Sequence, residues 1–291
     1  MAPRRSPAAA ALAAARPRQW TKNLLLFAGL VFAAKLGDAT RWAEALAIFL
    51  VYCAASSAAY LVNDVRDAAA DRRHPSKRLR PVASGELTPR RALAFAGVLA
   101  VAALVAAAVL GPLTIAFLFG FLALQAVYTL GLKHVALVDV MTIAGLFVIR
   151  AAAGAEAVDV RISPWLLICT ALLALFLALG KRRGELVLVG ADATPGRRVL
   201  EGYSLALVDR LLAVVTGATV IAYSLYTVTA HDSKALTVTI PFVVFGLVRY
   251  LLLLHRSDAG EEPEHVLLTD VPILVTVAAW AATAALLLAL E

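Results

Sequence analysis

The sequence predicts an all-α, polytopic membrane protein, and three observations support this fold class. Hydrophobic residues make up 62% of the 291 residues and charged residues only 16%, so the chain is more apolar and less charged than a soluble protein. The mean hydropathy is +0.83. The apolar residues form segments close to the roughly 20 residues that a helix needs to cross a bilayer. Because a helix satisfies its own backbone hydrogen bonds in lipid, we expect about nine transmembrane helices around a cytoplasm-facing cavity.

The apolar segments can be drawn in chain order, with edges defined to within a few residues. They cover 20–36, 43–62, 92–110, 113–131, 137–153, 164–180, 208–229, 236–254 and 268–290. Between the third and fourth segments, Gly111 and Pro112 predict a tight hairpin. Residues 1–15 are predicted to be a flexible basic tail, and residues 16–291 are predicted to form a single transmembrane helical domain.

The distribution of Lys and Arg predicts the orientation of the chain. With the N-terminus in the cytoplasm, the basic residues gather in the cytoplasmic loops, where the positive-inside rule requires them. The other side of the membrane keeps only Lys35, Arg41, Arg150, Arg161 and Lys234. We therefore expect a multi-pass protein of the cell (inner or plasma) membrane, with its N-terminus and its active site in the cytoplasm. The net charge of +7 has its source in these loops.

An acidic cluster at the end of the second segment is the main functional candidate. Read as a helix, Asp64, Asp67 and Asp71 lie at positions i, i+3 and i+7 on one face, with Asn63 at its margin. Three like charges on one face repel one another, and a hard divalent cation such as Mg²⁺ would reverse that repulsion. The alternative interpretation is a solvated helix end. A dense basic run that follows at once, from Arg72 to Arg80, favours a site for Mg²⁺ and a diphosphate.

Other polar residues near the ends of spans are candidates because polar groups are expensive in a membrane. They are Lys22, Asn23, Lys77, Arg78, Arg80, Tyr128, Lys133, Asp139, Lys181, Arg182, Arg183 and Glu185. Interfacial anchoring is the alternative for Lys133 and for the three consecutive cations, and helix capping is the alternative for Asp139. Neither a Gly-rich phosphate loop nor a His/Cys ligand spacing is present, so phosphate groups and Mg²⁺ are favoured over zinc.

Several of these motifs resemble the intramembrane prenyltransferase (UbiA-type) superfamily. Its signature N-D-x-x-D-x-x-x-D is complete at Asn63–Asp71, and the basic motif that follows it stands at Arg72–Gly85. The second acidic motif, D-x-x-x-D, is degenerate because Ile143 stands four residues after Asp139. Four further features resemble the branch of this superfamily that transfers a phosphoribosyl group. They are R-P-x-Q-W-x-K-N at Arg16–Asn23, the turn from Lys133 to Asp139, Arg150, and L-G-K-R-R-x-E-L at Leu179–Leu186.

This resemblance implies a Mg²⁺-dependent pentosyltransferase. It would move a 5-phosphoribosyl group from phosphoribosyl pyrophosphate to a polyprenyl (decaprenyl) monophosphate, releasing pyrophosphate and making an arabinose-donor precursor for the cell envelope. Asn63, Asp64, Asp67 and Asp71 would hold the metal, and the remaining candidates, with Arg150, would bind the substrates. The alternatives are an aromatic prenyltransferase that uses a prenyl diphosphate and a membrane transporter. Nucleic acid is not an expected partner, and the sequence leaves a homo-oligomer open.

Overall fold

The structure, a computed structural model, describes residues 5–32, 37–73, 77–192, 198–230, 233–256 and 269–290, and within these ranges it is helical with connecting turns. The α-helices are α1 (Pro7–Ala15), α2 (Ala28–Phe32), α3 (Ala39–Asp71), α4 (Pro89–Leu110), α5 (Pro112–Leu130), α6 (Val138–Ala157), α7 (Pro164–Asp192), α8 (Leu205–Thr229), α9 (Ile240–Arg256) and α10 (Val271–Ala289). Within the same described ranges, five 3-10 helices lie at Pro17–Phe27, Lys77–Leu79, Leu132–His134, Arg198–Gly202 and Ala235–Thr239.

Eight helices of the described ranges, α3 to α10, are long and apolar enough to cross a bilayer, with α9 counted together with the 3-10 turn before it. They correspond to the second to ninth predicted segments. The first predicted segment differs, because it begins with the 3-10 helix Pro17–Phe27 and continues into the short helix α2, while 33–36 lie outside the described residues. The polar start of this segment, with Lys22 and Asn23, makes it unlike a lipid-facing helix. The predicted count of nine is therefore approximate.

The N-terminal segment that was expected to be a flexible tail contains helix α1. Ser6 caps it by accepting a hydrogen bond from the amide of Ala9, and Pro7 stands at its first position, where a missing N–H does no harm. Ala10 and Ala14 are buried, and α1 packs against α3. A run of alanines both favours the helix and lets it approach α3 closely. Residues 7–15 are thus helical, and the flexibility expected of the tail stays a prediction.

Helix α3 is 33 residues long, which corresponds to about 50 Å, whereas the hydrocarbon core of a bilayer is about 30 Å thick. Asp38 caps its start by accepting hydrogen bonds from the amides of Thr40 and Arg41. The helix continues without a break through Asp71, so the acidic residues are helical, as the spacing predicted. Its extra length allows its acidic end to extend beyond the hydrocarbon.

The predicted hairpin between the third and fourth segments is also present. Helix α4 starts after Thr88, whose side chain caps it, and ends at Gly111. Gly111 has a φ of 152°, a value that favours glycine. Pro112 then begins α5, where its fixed φ suits the first turn of a helix.

The chain divides into two compact units, and the single transmembrane domain expected from the sequence stays a prediction. The first contains Met1–Leu30, Asp38–Thr129 and Ile149–Arg161, and the second contains Val31–Gly37, Leu130–Val148 and Ile162–Glu291. Helix α6 contributes its first part to the second unit and its last part to the first. In the first unit α3 packs mainly on α4, and in the second α7 packs mainly on α8.

Candidate active site

In the first unit, two carboxylates at the end of α3 pair with two guanidinium groups. Arg16 donates a hydrogen bond to Oδ1 of Asp64, and Arg80 Nη1 lies 3.4 Å from the same oxygen. Arg80 Nη1 also donates to Oδ2 of Asp71 over 2.7 Å. Asp64 is only 1% exposed and Asp71 is 5% exposed. We call Arg16, Asp64, Asp71 and Arg80 the acid–arginine cluster.

Three parts of the chain build this cluster. Helix α3 supplies both acids, which stand seven positions apart on the same face. The loop after the 3-10 turn Lys77–Leu79 returns Arg80 to them. Arg16 comes from the junction of α1 and the first 3-10 helix, where its φ is 54°, a left-handed conformation. Its guanidinium also lies over the ring of Tyr60, 5.1 Å from the centroid. Burial lowers the pKa of Arg16 while Asp64 opposes this effect, and arginine stays charged in either case.

The other predicted members of this region differ in their exposure. Asn63 and Asp67 are half-buried on the same end of α3. Lys77 is half-buried and Arg78 is exposed on the 3-10 turn that leads to Arg80. Tyr128, near the end of α5, is half-buried. From the first basic loop, the structure brings Arg80 to the acids, and the roles of the other members stay predictions.

A metal ion can be tested against the atoms of the cluster. Among the described residues, no group of three or more His, Cys, Asp or Glu side chains is arranged to hold a metal. However, Oδ2 of Asp64 is buried and has no hydrogen-bond partner in the described chain. A buried carboxylate oxygen without a partner is costly, and carboxylate oxygens are the ligands that Mg²⁺ prefers. Asp64 therefore fits a hard cation through its Oδ2, with Asp71 as a second carboxylate on the same face, while Arg16 and Arg80 contact Oδ1 of Asp64.

In the second unit, Asp139 is the centre of a different cluster, and it is fully buried. Arg182 Nε donates to Oδ2 of Asp139 over 2.7 Å, and the hydroxyl of Tyr203 donates to Oδ1 over 2.6 Å. Arg182, itself 1% exposed, also donates to Glu185 one turn along α7. Asp139 is thus an ion-pair partner inside the unit. From its position at the start of α6, helix capping had been the alternative role.

Tyr203 was not predicted from the sequence. Its hydroxyl accepts a hydrogen bond from the amide of Leu137 over 2.8 Å while it donates to Asp139. Leu137 has a φ of 66°, unusual for a residue with a branched side chain. Burial, together with the hydrogen bond to Asp139, raises the pKa of Tyr203, so the hydroxyl remains a donor at neutral pH. Tyr203 thereby fixes the turn between Lys133 and Asp139.

The three consecutive cations at the end of the sixth predicted segment have different surroundings. Arg182 is buried against Asp139, as helical geometry required of at least one of the three. Arg183 Nε donates to Asp209 and its Nη1 donates to the carbonyl of Leu254, each over 2.7 Å. Lys181 is half-buried, and so is Lys133 on the 3-10 turn before α6. Lys133 and Lys181 are therefore more accessible than Arg182.

Arg150 and Asn23 lie together in the first unit, away from the acid–arginine cluster. Arg150 Nε donates to Oδ1 of Asn23 over 2.9 Å, and its Nη2 lies 3.5 Å from Oγ of Ser56. Arg150 is 4% exposed and Asn23 is fully buried. Ser56 precedes Asp64 by eight residues on α3, a distance of about 12 Å along the helix.

Together these features define a polytopic helical membrane protein that contains a nearly buried cluster of carboxylates and guanidinium groups. The profile of the UbiA prenyltransferase family matches residues 22–269. The chain belongs to this family.

Relatives and solved structures agree with this membership. A decaprenyl-phosphate phosphoribosyltransferase of Mycolicibacterium smegmatis is 37% identical over 93% of this chain and 89% of its own. A protein of the same name from Mycobacterium tuberculosis is 36% identical over 93% of this chain and 91% of its own. The fold is similar to that of a UbiA homolog from Archaeoglobus fulgidus bound to DMAPP and Mg²⁺. That similarity has a TM-score of 0.75 and 17% identity, over 96% of this chain and 98% of that one.

Proposed function

We propose that this protein transfers a 5-phosphoribosyl group from phosphoribosyl pyrophosphate to a polyprenyl (decaprenyl) monophosphate and releases pyrophosphate. The names of the relatives in Mycolicibacterium smegmatis and Mycobacterium tuberculosis support this reaction. In the cell it would act at the cytoplasmic face of the inner or plasma membrane and supply an arabinose-donor precursor for the cell envelope.

The observation that carries the proposal is that both carboxylate oxygens of Asp139 are already hydrogen-bonded within the protein. An aromatic prenyltransferase of this superfamily would use a second acidic motif at this place. Here Ile143 replaces the second acid, and both oxygens of Asp139 already accept hydrogen bonds, from Arg182 and from Tyr203. Asp139 therefore serves to hold a buried arginine. The first acidic motif is then the candidate for binding a diphosphate, and several Lys and Arg side chains are candidates for binding other phosphate groups.

The charges of the substrates explain why so many cations are needed. The donor brings a diphosphate and a 5-phosphate, and the acceptor brings a third phosphate group. Lysine and arginine are the side chains that bind phosphate, with arginine able to form two parallel hydrogen bonds. Arg16 and Arg80 are placed to hold the diphosphate beside Asp64 and Asp71. The accessible candidates for the other phosphate groups are Lys22, Lys77, Arg78, Lys133 and Lys181.

The reaction follows from this arrangement. A phosphate oxygen of the polyprenyl phosphate attacks C1 of the ribose, and the bond from C1 to the pyrophosphate oxygen breaks. Pyrophosphate leaves with the bonding electron pair, and Arg16 and Arg80 stabilise its negative charge. Bound Mg²⁺, for which Asp64 and Asp71 with Asn63 and Asp67 are the candidate ligands, would add charge stabilisation to the leaving group. No general base is needed because the attacking phosphate is already ionised at neutral pH.

The test is a transfer assay with the purified protein in lipid vesicles. Radiolabelled phosphoribosyl pyrophosphate, Mg²⁺ and polyprenyl phosphates of several chain lengths are supplied, and labelled lipid and pyrophosphate are measured. We expect both products only when donor and acceptor are present together. A labelled ring product from a prenyl diphosphate and a hydroxybenzoate, without any phosphoribosyl lipid, would instead identify an aromatic prenyltransferase. Flux of solute without chemistry would identify a transporter.

A matched pair of variants links the reaction to the acidic cluster. Asp64→Asn keeps the shape of the side chain but removes the charge, and turnover should fall at least about 100-fold. Asp159→Asn is the control in the same unit, because Asp159 is exposed and its φ of 53° suits asparagine equally well. Equal activity of the two variants would contradict the role given to Asp64.

A further inference from the structure

The first 3-10 helix, Pro17–Phe27, is anchored to α3 by buried hydrogen bonds. Trp20 Nε1 donates to Oγ of Ser57 over 3.1 Å, and Nδ2 of Asn23 approaches Sγ of Cys53 at 3.3 Å. Ser57 Oγ also lies 2.9 Å from the carbonyl of Ala15, at the end of α1. These contacts join the middle of the segment, and the end of α1 just before it, to one face of α3. The segment follows directly on Arg16, so its position determines where Arg16 lies.

Arg150 supplies the contact that connects this segment to α6. Its guanidinium donates to Asn23 and reaches Ser56 of α3, and it lies 4.5 Å from the centroid of the Phe121 ring. A buried guanidinium is costly unless its N–H groups find partners. Arg150 thus holds three elements, α3, α6 and the 3-10 helix, at one point.

One turn further along α6, the backbones themselves are in contact. A Cβ atom added to Gly154 would lie 2.7 Å from Cα of Leu26 and would also overlap the carbonyl oxygen of Leu26. An added Cβ at Gly29 would lie 2.7 Å from Cα of Ala155. Such close approach requires small residues on membrane helices. The packing at Gly154 supports the same position of the segment as the hydrogen bond from Arg150, by a different physical means.

From these contacts we infer that Arg150 is a positioning residue of the acid–arginine cluster, and that it acts through Asn23 rather than on the substrate. By fixing the 3-10 helix against α3 and α6, it holds Arg16 on Asp64. The kinetic part of this inference rests on the proposed function, whereas the anchoring part does not. Arg150 carries a hydrogen bond to Asn23, and Asn23 follows Arg16 by seven residues in the same segment.

Cys53 offers a direct probe of the anchoring because it is buried beside Asn23. In a Cys169→Ser background, the rate of alkylation by N-ethylmaleimide reports how often the 3-10 helix leaves α3. Arg150→Met keeps the length of the side chain and removes its donors. We expect its Cys53 to be alkylated about tenfold faster, as local opening becomes more frequent. Arg150→Lys keeps one charged donor for Asn23 and should restore part of the protection.

The effect on the acid–arginine cluster is measured separately by binding. Protection against thermal unfolding by inorganic pyrophosphate and Mg²⁺ requires no turnover and applies to any diphosphate donor. We expect the half-saturating pyrophosphate concentration to rise about tenfold in Arg150→Met. In the transfer assay, KM for phosphoribosyl pyrophosphate should rise similarly while kcat changes less than about threefold.

Gly154→Ala tests the same inference without altering a charge, and it serves if Arg150→Met fails to fold. It should raise both the alkylation rate and the half-saturating concentration. Gly97→Ala on α4 is the matched control, since an added Cβ there meets no other part of the described chain within 4 Å. It should behave like the parent protein in both measurements.

Two outcomes would overturn the inference. Weaker pyrophosphate binding with unchanged Cys53 alkylation would mean that Arg150 contacts the ligand itself. Faster alkylation with unchanged pyrophosphate binding would mean that Arg150 only stabilises the fold. If the parent protein produced no phosphoribosyl lipid, the proposed function would fail, but alkylation and pyrophosphate protection would still decide the role of Arg150.

Discussion

Removal of one hydroxyl group, in the variant Tyr203→Phe, tests whether Tyr203 holds the Asp139 cluster together. The hydroxyl donates to Asp139 over 2.6 Å and accepts from the amide of Leu137 over 2.8 Å. Phenylalanine fills the same space, so the change leaves no cavity. It leaves a buried carboxylate oxygen short of one donor and a backbone N–H without its acceptor.

The expected loss of stability follows from the charge of the partner. A hydrogen bond to a charged group contributes about 1.5–3 kcal/mol, whereas one between neutral groups contributes about 0.5–1.5 kcal/mol. The second unit contains a suitable control in Tyr223, which is 7% exposed, as Tyr203 is. The Tyr223 hydroxyl hydrogen bonds to Thr239 and accepts from Trp280 Nε1, each over 2.7 Å. Both partners are neutral, so the loss of stability in Tyr223→Phe should be about half of the loss in Tyr203→Phe.

The assay compares thermal unfolding of the two variants in the same detergent, followed by transfer activity. At about 2–4 °C for each kcal/mol in a chain of this size, Tyr203→Phe should lower the melting temperature by about 5 °C and Tyr223→Phe by about 2 °C. Turnover should fall in Tyr203→Phe and stay at the parent level in Tyr223→Phe. A smaller stability loss in Tyr203→Phe than in Tyr223→Phe would refute the reasoning from charge.

Three further predictions concern pH and one accessible lysine. Burial raises the pKa of Tyr203 above its unfolded value of about 10. The contribution of Tyr203 to stability is therefore complete below about pH 10 and is lost as the pH rises further. The melting temperature of Tyr203→Phe should fall less at alkaline pH than that of the parent protein. The hydrogen bond from Arg249 lowers the pKa of Asp270, so its contribution is complete above about pH 4 and is lost as the pH falls further; a titration of Asp270→Asn should lack this acid loss. Lys133→Ala should raise KM for the donor or the acceptor about tenfold, whereas His134→Ala, its exposed neighbour, should leave both KM values unchanged.

The spans and the acidic face of α3 could be predicted because they depend on local patterns. Runs of apolar residues identify eight of the helices, and the spacing of Asp64, Asp67 and Asp71 places them on one face once the segment is helical. The hairpin at Gly111 follows from local backbone preferences in the same way. These features need no knowledge of what packs against them.

The first predicted segment and the site residues of the second unit depend on distant partners instead. The 3-10 helix Pro17–Phe27 is held by Ser57 and by Arg150, which stands 127 residues after Asn23. Helical geometry required one of the three cations after the sixth segment to face inward, but only the position of Asp139 selects Arg182. Tyr203 carries no sequence signal at all, since a tyrosine after a basic loop has many ordinary explanations.

The pairing of charges in the acid–arginine cluster explains how the proposed donor site can be stable before a substrate binds. Asp64 and Asp71 are nearly buried, and two buried carboxylates close together would raise each other's energy. Arg16 and Arg80 remove that repulsion, so the four side chains together carry no net charge. When a diphosphate binds, the same guanidinium groups can turn part of their donors to its oxygens without leaving the acids. This exchange requires that Arg16 be held in place by contacts outside the cluster. In the inference above, the hydrogen bond from Arg150 to Asn23 and the close packing at Gly154 supply those contacts.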